Sequence, residues 1–173
     1  IEQVHFTLNN GITLLNNGEE KFPILLEEIL KAKKSIHLEY YIIRESQVAT
    51  KIIDALCDKA LKGVKVRLIY DDVGSSLSRS TIRKLKDSGI ESYPYMPVLF
   101  SRLAHKANYR NHRKIVVIDN RITYCGSQNC ADPDFRVKAR YAPWVDAMMR
   151  FQGPIARQNQ YLFIADWECE TGE

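Results

Sequence analysis

The sequence lacks the features that mark zinc-binding, secreted and membrane-spanning proteins. It has only four cysteines in 173 residues, with no C-x-x-C pair and no histidine at zinc-ligand spacing. We therefore expect reduced, mostly buried thiols and no structural zinc. No apolar run approaches the roughly 20 residues that a transmembrane helix needs, and no secretory signal is visible. These absences predict a soluble chain from the cytoplasmic side of the cell.

The chain also lacks an initiator methionine, internal repeats and low-complexity segments. Because it begins at Ile1, we expect a piece of a longer protein, whose membrane or targeting segments would lie elsewhere. A mass of 20.0 kDa and a hydrophobic content of 45% suit a globular domain with a real core. We therefore assign residues 1–173 to a single domain.

Acidic residues are absent from one stretch near the middle of the chain. Between positions 102 and 114 the basic residues and histidines are Arg102, His105, Lys106, Arg110, His112, Arg113 and Lys114. A run of like charge is usually a solvated face, but this one leads directly into an unusual strand.

Apolar patterns along the chain alternate between strand and helix. Strands are predicted at about 12–16, 35–43, 64–73, 91–96, 113–118, 122–126 and 146–153. Helices are predicted within 19–35, over 48–59, around 82–85 and from Pro154 through Trp167. Strands separated by helices of this length predict an α/β fold: an α/β/α sandwich around a central mixed, mostly parallel sheet.

The predicted strand at 113–118 combines a buried pattern with charged side chains. Ile115 to Ile118 is a continuous apolar run, which is typical of a strand covered on both faces. His112 and Lys114 stand at its entrance, and residues two apart point to the same face. A buried ammonium is costly unless an anion or a hydrogen-bonding network meets it. Either both side chains reach solvent at a strand end, or they line a polar site.

The next strand favours the polar site. It ends in the sequence GSQN, in which Gly126 permits a close backbone approach while Ser127 and Asn129 offer uncharged hydrogen-bonding groups. A tight turn at 119–121 would fold this end back beside His112 and Lys114. Imidazole, ammonium, hydroxyl and carboxamide together are a good lining for a phosphate.

The spacing H-x-K-x-x-x-x-D, followed by G-S-x-N, resembles the signature of the phospholipase D superfamily. It is formed by His112, Lys114, Asp119, Gly126, Ser127 and Asn129. The stretches FPILLEEILKAKKSIHLEYYII, ALKGVKVRLIYDDVGS, RNHRKIVVID, WVDAMMRFQGP and ADWECETGE are similar to the first half of bacterial cardiolipin synthase-type enzymes. The resemblance covers nearly the whole chain and implies the phospholipase D-like fold.

The resemblance implies a reaction without metal or cofactor, through a phosphohistidine intermediate. His112 would be the nucleophile, or the acid in the other half-site, with Lys114 as oxyanion partner. Ser127, Asn129 and Gly126 would form the phosphate-binding part. Asp146 occupies the place of a carboxylate that orients the histidine. Asp119 completes the signature, where it holds the hairpin rather than moving protons.

Some polar residues near the signature have two open interpretations. Arg110 and Arg113 either attract an anionic head group or are simply solvated. Asp71 and Asp72 follow a strand and fit a polar loop better than a metal pair. Tyr41 fits core or rim packing better than a substrate platform.

The chain departs from the superfamily's complete site, which uses two H-x-K motifs. Neither His5, His37 nor His105 is followed by a lysine two positions on. The chain is then either half of a two-motif enzyme or a subunit that pairs with itself in an isologous dimer. In the parent protein we expect a location on the bacterial cytoplasmic side or at the inner membrane.

Three functions remain open on the sequence. The first is a phosphatidyltransferase or phosphodiesterase acting on anionic glycerophospholipid in the manner of cardiolipin synthase. The second is a single-motif nuclease, whose binding to nucleic acid would weaken steeply with salt. The third is a non-catalytic module that binds phosphate.

Overall fold

The computed structural model describes residues 6–97, 110–132 and 145–173. Within them the chain forms β1 Gly11–Asn16, α1 Asn17–Lys31, β2 Ser35–Tyr40, α2 Gln47–Leu61, β3 Lys65–Asp71, α3 Arg79–Asp87, β4 Glu91–Tyr95, β5 Lys114–Ile118, β6 Ile122–Gly126, β7 Ala147–Gln152 and α4 Ile155–Thr171. The α/β prediction is therefore confirmed.

The seven strands form one mixed sheet in the order β1-β7-β6-β5-β2-β3-β4. Only β2–β3 and β3–β4 are parallel, whereas the other four pairs are antiparallel. The prediction of a mostly parallel sheet was wrong. Parallel neighbours need a crossover, which α2 and α3 supply, but β5 and β6 are joined by a turn that reverses the chain. Asp119 and Asn120 in this turn adopt φ of 52° and 53°, and Arg121 N donates to Ile118 O at 3.0 Å.

Helices cover both faces of the sheet. On one face, α1 and α2 bury apolar side chains at helical spacing, including Leu25, Ile29, Ile52 and Leu56. Ser46 caps α2 by accepting a hydrogen bond from Ala49 N. On the other face α4 packs against β2, β5, β6 and β7. This arrangement is an α/β/α sandwich.

Some boundaries differ from those predicted. β2 ends at Tyr40 rather than at residue 43, because the chain leaves the sheet there and Ile43 and Arg44 bridge to Cys130 and Ser76 instead. α4 continues to Thr171 and ends where Gly172 adopts a left-handed φ of 76°.

The four cysteines are free thiols. Cys57 and Cys130 are buried, but Cys125 is only half-buried and Cys169 is exposed, so the expectation of mostly buried thiols holds for two of them. Among the described helices, none has the length and apolar character to cross a bilayer.

Several strand ends meet at one end of the sheet. Tyr40 at the end of β2 pairs with Lys114 at the start of β5, and Gly126 at the end of β6 pairs with Met148 near the start of β7. Asn16 of β1 is opposite Ala147 of β7. We call this the site end, because the residues singled out by the sequence cluster there.

Candidate active site

His112 and Lys114 share one aromatic neighbour at the site end. The exposed imidazole of His112 stacks on Tyr41, with ring centroids 3.8 Å apart and an interplanar angle of 27°. Lys114 Nζ lies 5.5 Å from the centroid of the same ring and donates a hydrogen bond to the His112 carbonyl oxygen at 2.5 Å. The imidazole and the ammonium therefore lie on the same side of the chain, as the spacing of two residues predicts.

The strand that carries Lys114 explains the environment of its ammonium. Val116 and Ile118, which share its face, are fully buried in the core beneath α1 and α2. Lys114 itself is 9% exposed. Burial lowers the pKa of Lys114, and the negative charge of Asp146 acts in the opposite direction. The result is a partly dehydrated cation at the end of a buried strand.

Asp146 is buried and hydrogen-bonded to Ser127, which follows β6, and to Asn17 at the start of α1. Its Oδ1 accepts a hydrogen bond from Ser127 Oγ at 2.8 Å. Its main chain exchanges two hydrogen bonds with Asn17, from Asn17 N to the carbonyl oxygen and from Asp146 N to Asn17 Oδ1, both at 2.9 Å. These contacts fix the carboxylate where α1 begins and β7 enters the sheet.

Gly126 allows β6 and β7 to approach closely at this point. A Cβ atom there would lie 2.3 Å from Ala147 O and 2.8 Å from Met148 Cα. No side chain fits in that space, so glycine is required by packing. The close approach brings Ser127 against β7, where Ser127 N donates to Ala147 O at 3.0 Å.

Asn129 and Gln128 connect the loop after β6 to the segment after β2 and to helix α1. Asn129 Oδ1 accepts a hydrogen bond from Ile42 N at 3.1 Å and so holds the segment that carries Tyr41. The Gln128 carbonyl oxygen accepts one from Lys21 Nζ at 3.3 Å. Lys21 is fully buried, with its ammonium 4.9 Å from the centroid of the Tyr40 ring. A second lysine therefore lies behind the site, where it supports the loop rather than facing solvent.

Asp119 lies at the opposite end of β5, roughly 15 Å along the strand from Lys114. Its carboxylate accepts hydrogen bonds from the main-chain N–H groups of Lys33, Lys34 and Ser35 at 2.9, 2.7 and 3.0 Å. Burial raises the pKa of Asp119, but these hydrogen bonds together outweigh it and leave the pKa lowered. This position fits the structural role expected for Asp119 and is remote from His112.

Arg110 and Arg113 both form ion pairs with carboxylates of the fold. Arg110 Nη1 lies 2.8 Å from Asp71 Oδ2 in a buried ion pair, and Nη2 donates to Met96 O at 3.3 Å. Arg113 pairs with Asp166 of α4. Arg110 is therefore a buried partner of Asp71 rather than a solvated side chain, whereas Arg113 stays partly exposed. A role of either arginine in binding a head group stays a prediction.

Asp71 acts as a loop anchor, as its sequence context indicated. Besides Arg110, its Oδ1 accepts hydrogen bonds from Val73 N at 3.0 Å and Gly74 N at 2.7 Å. Within residues 6–97, 110–132 and 145–173, no three histidine, cysteine, aspartate or glutamate side chains are grouped so as to hold a metal ion.

The structure brings most of the predicted site residues together. Those at the site end are His112, Lys114, Gly126, Ser127, Asn129 and Asp146. The basic residues at 102–109, together with His5, lie outside the described part of the chain.

Sequence reasoning missed the partners that support these residues. Tyr41 was interpreted as packing, although an aromatic residue directly after a strand at the site end can meet a ligand or a catalytic ring. Asn17 was not among the predicted site residues. It adopts a left-handed φ of 56°, which asparagine tolerates, and this geometry lets its side chain reach Asp146.

The arrangement has the chemistry of a site for a phosphate ester. An imidazole exposed at the surface is available to attack phosphorus or to transfer a proton. An adjacent ammonium, a hydroxyl and a carboxamide are suited to non-bridging phosphate oxygens. A buried carboxylate next to the hydroxyl supplies a fixed negative charge.

Comparison with known proteins identifies the family. A family model described as "Cardiolipin synthase, PLD-like domain" matches residues 25–146. Cardiolipin synthase 2 of Bacillus anthracis is 42% identical over 160 residues, which span 92% of this chain and 31% of the relative. Cardiolipin synthase of Geobacillus thermodenitrificans is 38% identical over 174 residues, covering 100% of this chain and 35% of the relative.

The fold is shared with a solved structure of similar size. The crystal structure of Nuc from Salmonella typhimurium, a phospholipase D family member, superposes with a TM-score of 0.65 and 21% identity, covering 92% of this chain and 95% of that chain. This likeness shows the fold alone. The chain spans about a third of the length of the curated relatives that it matches, so it corresponds to one part of such a protein. The chain belongs to the family of cardiolipin synthase PLD-like domains.

Proposed function

We propose that this chain is one half-domain of a phosphatidyltransferase that acts on anionic glycerophospholipid, as a cardiolipin synthase does. The proposal rests on one observation above all. An exposed imidazole and a partly dehydrated ammonium share the Tyr41 ring at the end of a buried strand. The carboxylate of Asp146, whose charge acts on that ammonium, is hydrogen-bonded to Ser127. The similarity to bacterial cardiolipin synthases supplies the substrate class.

In the proposed reaction, a nitrogen of His112 attacks the phosphorus of the phospholipid. A phosphorus–nitrogen bond forms and the bond to the head-group oxygen breaks, leaving a phosphatidyl group on the imidazole. The departing alkoxide takes a proton from an acid contributed by a second half-site. The hydroxyl group of an acceptor alcohol then attacks the same phosphorus, breaks the bond to nitrogen and gives up its proton to that group.

The neighbouring side chains are assigned the supporting tasks. Lys114 neutralises the non-bridging oxygens, on which negative charge builds up, and Asn129 donates hydrogen bonds to them. Ser127 donates to them when its hydroxyl proton turns from Asp146 to the phosphate. Asp146 orients the imidazole and stabilises its positive charge. Asp119 is assigned no chemical step, because its carboxylate is occupied by three main-chain N–H groups.

The proposed reaction needs a second histidine, which this chain does not contain in an H-x-K motif. A second half-domain or a second copy of the chain would supply it. In the parent protein the proposed site of action is the inner membrane, which holds the phospholipid substrate.

The second candidate is a phosphodiesterase or nuclease formed by a homodimer. It is supported by the fold shared with Nuc, a phospholipase D family member. It is weakened by the ion pairs of Arg110 and Arg113, because two cations next to His112 are already neutralised by Asp71 and Asp166. A backbone-tracking surface would need free cations there.

The test is to mix the protein with a half-domain that carries the second H-x-K motif and to incubate the mixture with phosphatidylglycerol vesicles, and separately with single-stranded DNA. We expect a phosphatidyl adduct on His112, detected by mass spectrometry after an alkaline quench, and release of glycerol. His112→Ala should give neither product. If that variant keeps full turnover, the nucleophile is assigned wrongly.

Cleavage of DNA with steep salt dependence, and no reaction of lipid, would favour the nuclease. No reaction of either substrate, combined with equal binding of inorganic phosphate by both proteins, would favour a non-catalytic module.

A further inference from the structure

A polar network lies on the α4 face of the sheet and includes the two residues that flank His112. Its members are Glu39 of β2, Asn111, Arg113 and Asp166 of α4. His112 and Lys114 lie on the opposite side of the same chain segment, against Tyr41. The network is therefore not part of the phosphate site described above, although it holds the same stretch of chain.

Asn111 is the centre of this network. Its Nδ2 donates to Glu39 Oε1 at 2.7 Å and to Asp166 Oδ2 at 3.0 Å. Its Oδ1 accepts a hydrogen bond from Arg113 N at 2.9 Å. The chemistry of the partners fixes the orientation of the carboxamide, because two carboxyl groups require the NH₂ side and an N–H group requires the oxygen. One side chain thus joins β2, α4 and the chain on the far side of His112.

Arg113 provides a second anchor on the same face. Its guanidinium pairs with Asp166, the same carboxylate that Asn111 contacts. The residues before and after His112 are therefore both tied to α4. Since side chains alternate along an extended segment, fixing 111 and 113 to one face directs 112 to the other.

The network carries no net charge near neutral pH. Burial and the neighbouring carboxylate of Asp166 raise the pKa of Glu39 to about 8. Glu39 is 3% exposed. Near neutral pH it is mostly protonated, so Asp166 and Arg113 form a neutral pair and no buried charge is left over.

We propose that Asn111 is a positioning residue for His112, held by Glu39 and Asp166, and that it keeps the imidazole stacked on Tyr41 in the orientation for attack on phosphorus. The inference rests on the proposed role of His112 as the attacking group. A displacement of about 1 Å in a reacting group costs on the order of 100-fold in rate. Loss of an anchor beside the nucleophile should therefore lower the reaction rate measurably.

The experiment compares Asn111→Ala, Glu39→Ala and Glu39→Gln with wild type, using two measurements. The first is the NMR signals of the His112 ring, assigned with His112→Ala, which report its position over Tyr41. The second is the rate of adduct formation with phosphatidylglycerol. We expect Asn111→Ala and Glu39→Ala to move the His112 signals and slow the reaction about 10- to 100-fold. Glu39→Gln should do neither, because its amide reproduces the protonated carboxyl group.

Gln160→Ala is the matched control. Gln160 lies on α4 and is hydrogen-bonded to His37 of β2, so the variant breaks a partly buried contact between the same helix and strand without touching Asn111. It should lose stability but keep the His112 signals and the rate. Unchanged signals in Asn111→Ala would overturn the inference, and so would equal changes in Gln160→Ala, which would show general loosening of α4. If wild type forms no adduct the proposed function fails, whereas the NMR comparison still tests the positioning.

Discussion

The two ends of strand β5 carry charged side chains that the fold treats in opposite ways. At one end the Asp119 carboxylate accepts three short hydrogen bonds from the main chain. At the other end the Lys114 ammonium donates to one carbonyl oxygen among residues 6–97, 110–132 and 145–173, and it is partly dehydrated beside the Tyr41 ring. A charge that the fold satisfies completely serves stability, whereas a dehydrated charge with few partners is free to meet a ligand.

Removing the ammonium should therefore cost reactivity and not stability. We expect Lys114→Ala to slow adduct formation with phosphatidylglycerol by about 100-fold or more, the range for losing a preorganised oxyanion partner. Its free energy of unfolding should stay within about 1 kcal/mol of wild type, because the lost packing is offset by removing a dehydrated charge. Adduct kinetics and urea unfolding measure the two effects.

Lys62→Ala is the control for that variant, since Lys62 forms an exposed pair with Asp58 far from the site. It should change neither quantity appreciably. A loss of several kcal/mol in Lys114→Ala would contradict the comparison and give Lys114 a structural role.

Removing the carboxylate at the other end should have the opposite result. Asp119→Ala leaves three main-chain N–H groups without their acceptor, so we expect a loss of about 2–4 kcal/mol in the free energy of unfolding. The rate of adduct formation per folded molecule should stay within about twofold of wild type, because Asp119 is far from His112. A rate loss as large as that of Lys114→Ala would give Asp119 a part in the chemistry.

The pH dependence of Asp119 gives a second measurement. Because the folded pKa lies below the unfolded value of 3.8, the stabilisation is present above the unfolded pKa and is lost as the pH falls through the folded one. Asp119→Asn should lack this part of the acid-induced loss of stability, which can be followed by thermal unfolding between pH 5 and pH 2.

Glu39 lies at the same end of the sheet as Lys114 and is also dehydrated, but it has partners. Its pKa of about 8 exceeds the unfolded value of 4.5, so the folded protein holds a proton that the unfolded chain releases over this interval. Stability should therefore fall as the pH rises from about 4.5 to about 8, and Glu39→Gln should lack that fall. We expect the variant to melt at a higher temperature than wild type at pH 8, and at a similar temperature at pH 5. A difference in melting temperature between Glu39→Gln and wild type that is the same at pH 5 and at pH 8 would contradict this account.

The sequence predicted the local features of the site better than their surroundings. The alternation around His112 and Lys114 and the turn after Ile118 are set by neighbouring residues, and the structure has both. The direction of β5 was not predictable in this way, because its pairing with β2 joins residues about 75 positions apart. The partners of Arg110 and Arg113 are 39 and 53 positions away, so no local pattern could show that these cations are already paired.

Tyr41 gives the smallest and most specific prediction. Its ring contacts both His112 and the ammonium of Lys114, and a cation near an aromatic face gains about 0.5–2 kcal/mol. Tyr41→Leu should therefore slow adduct formation about 10-fold with little change in the free energy of unfolding, whereas Tyr41→Phe should stay within about twofold of wild type. An equal loss in both variants would mean that the hydroxyl group matters and the ring does not. A loss in Tyr41→Leu alone would show that the aromatic ring supports the reactive end of β5. The Asp119 end is instead held by main-chain hydrogen bonds.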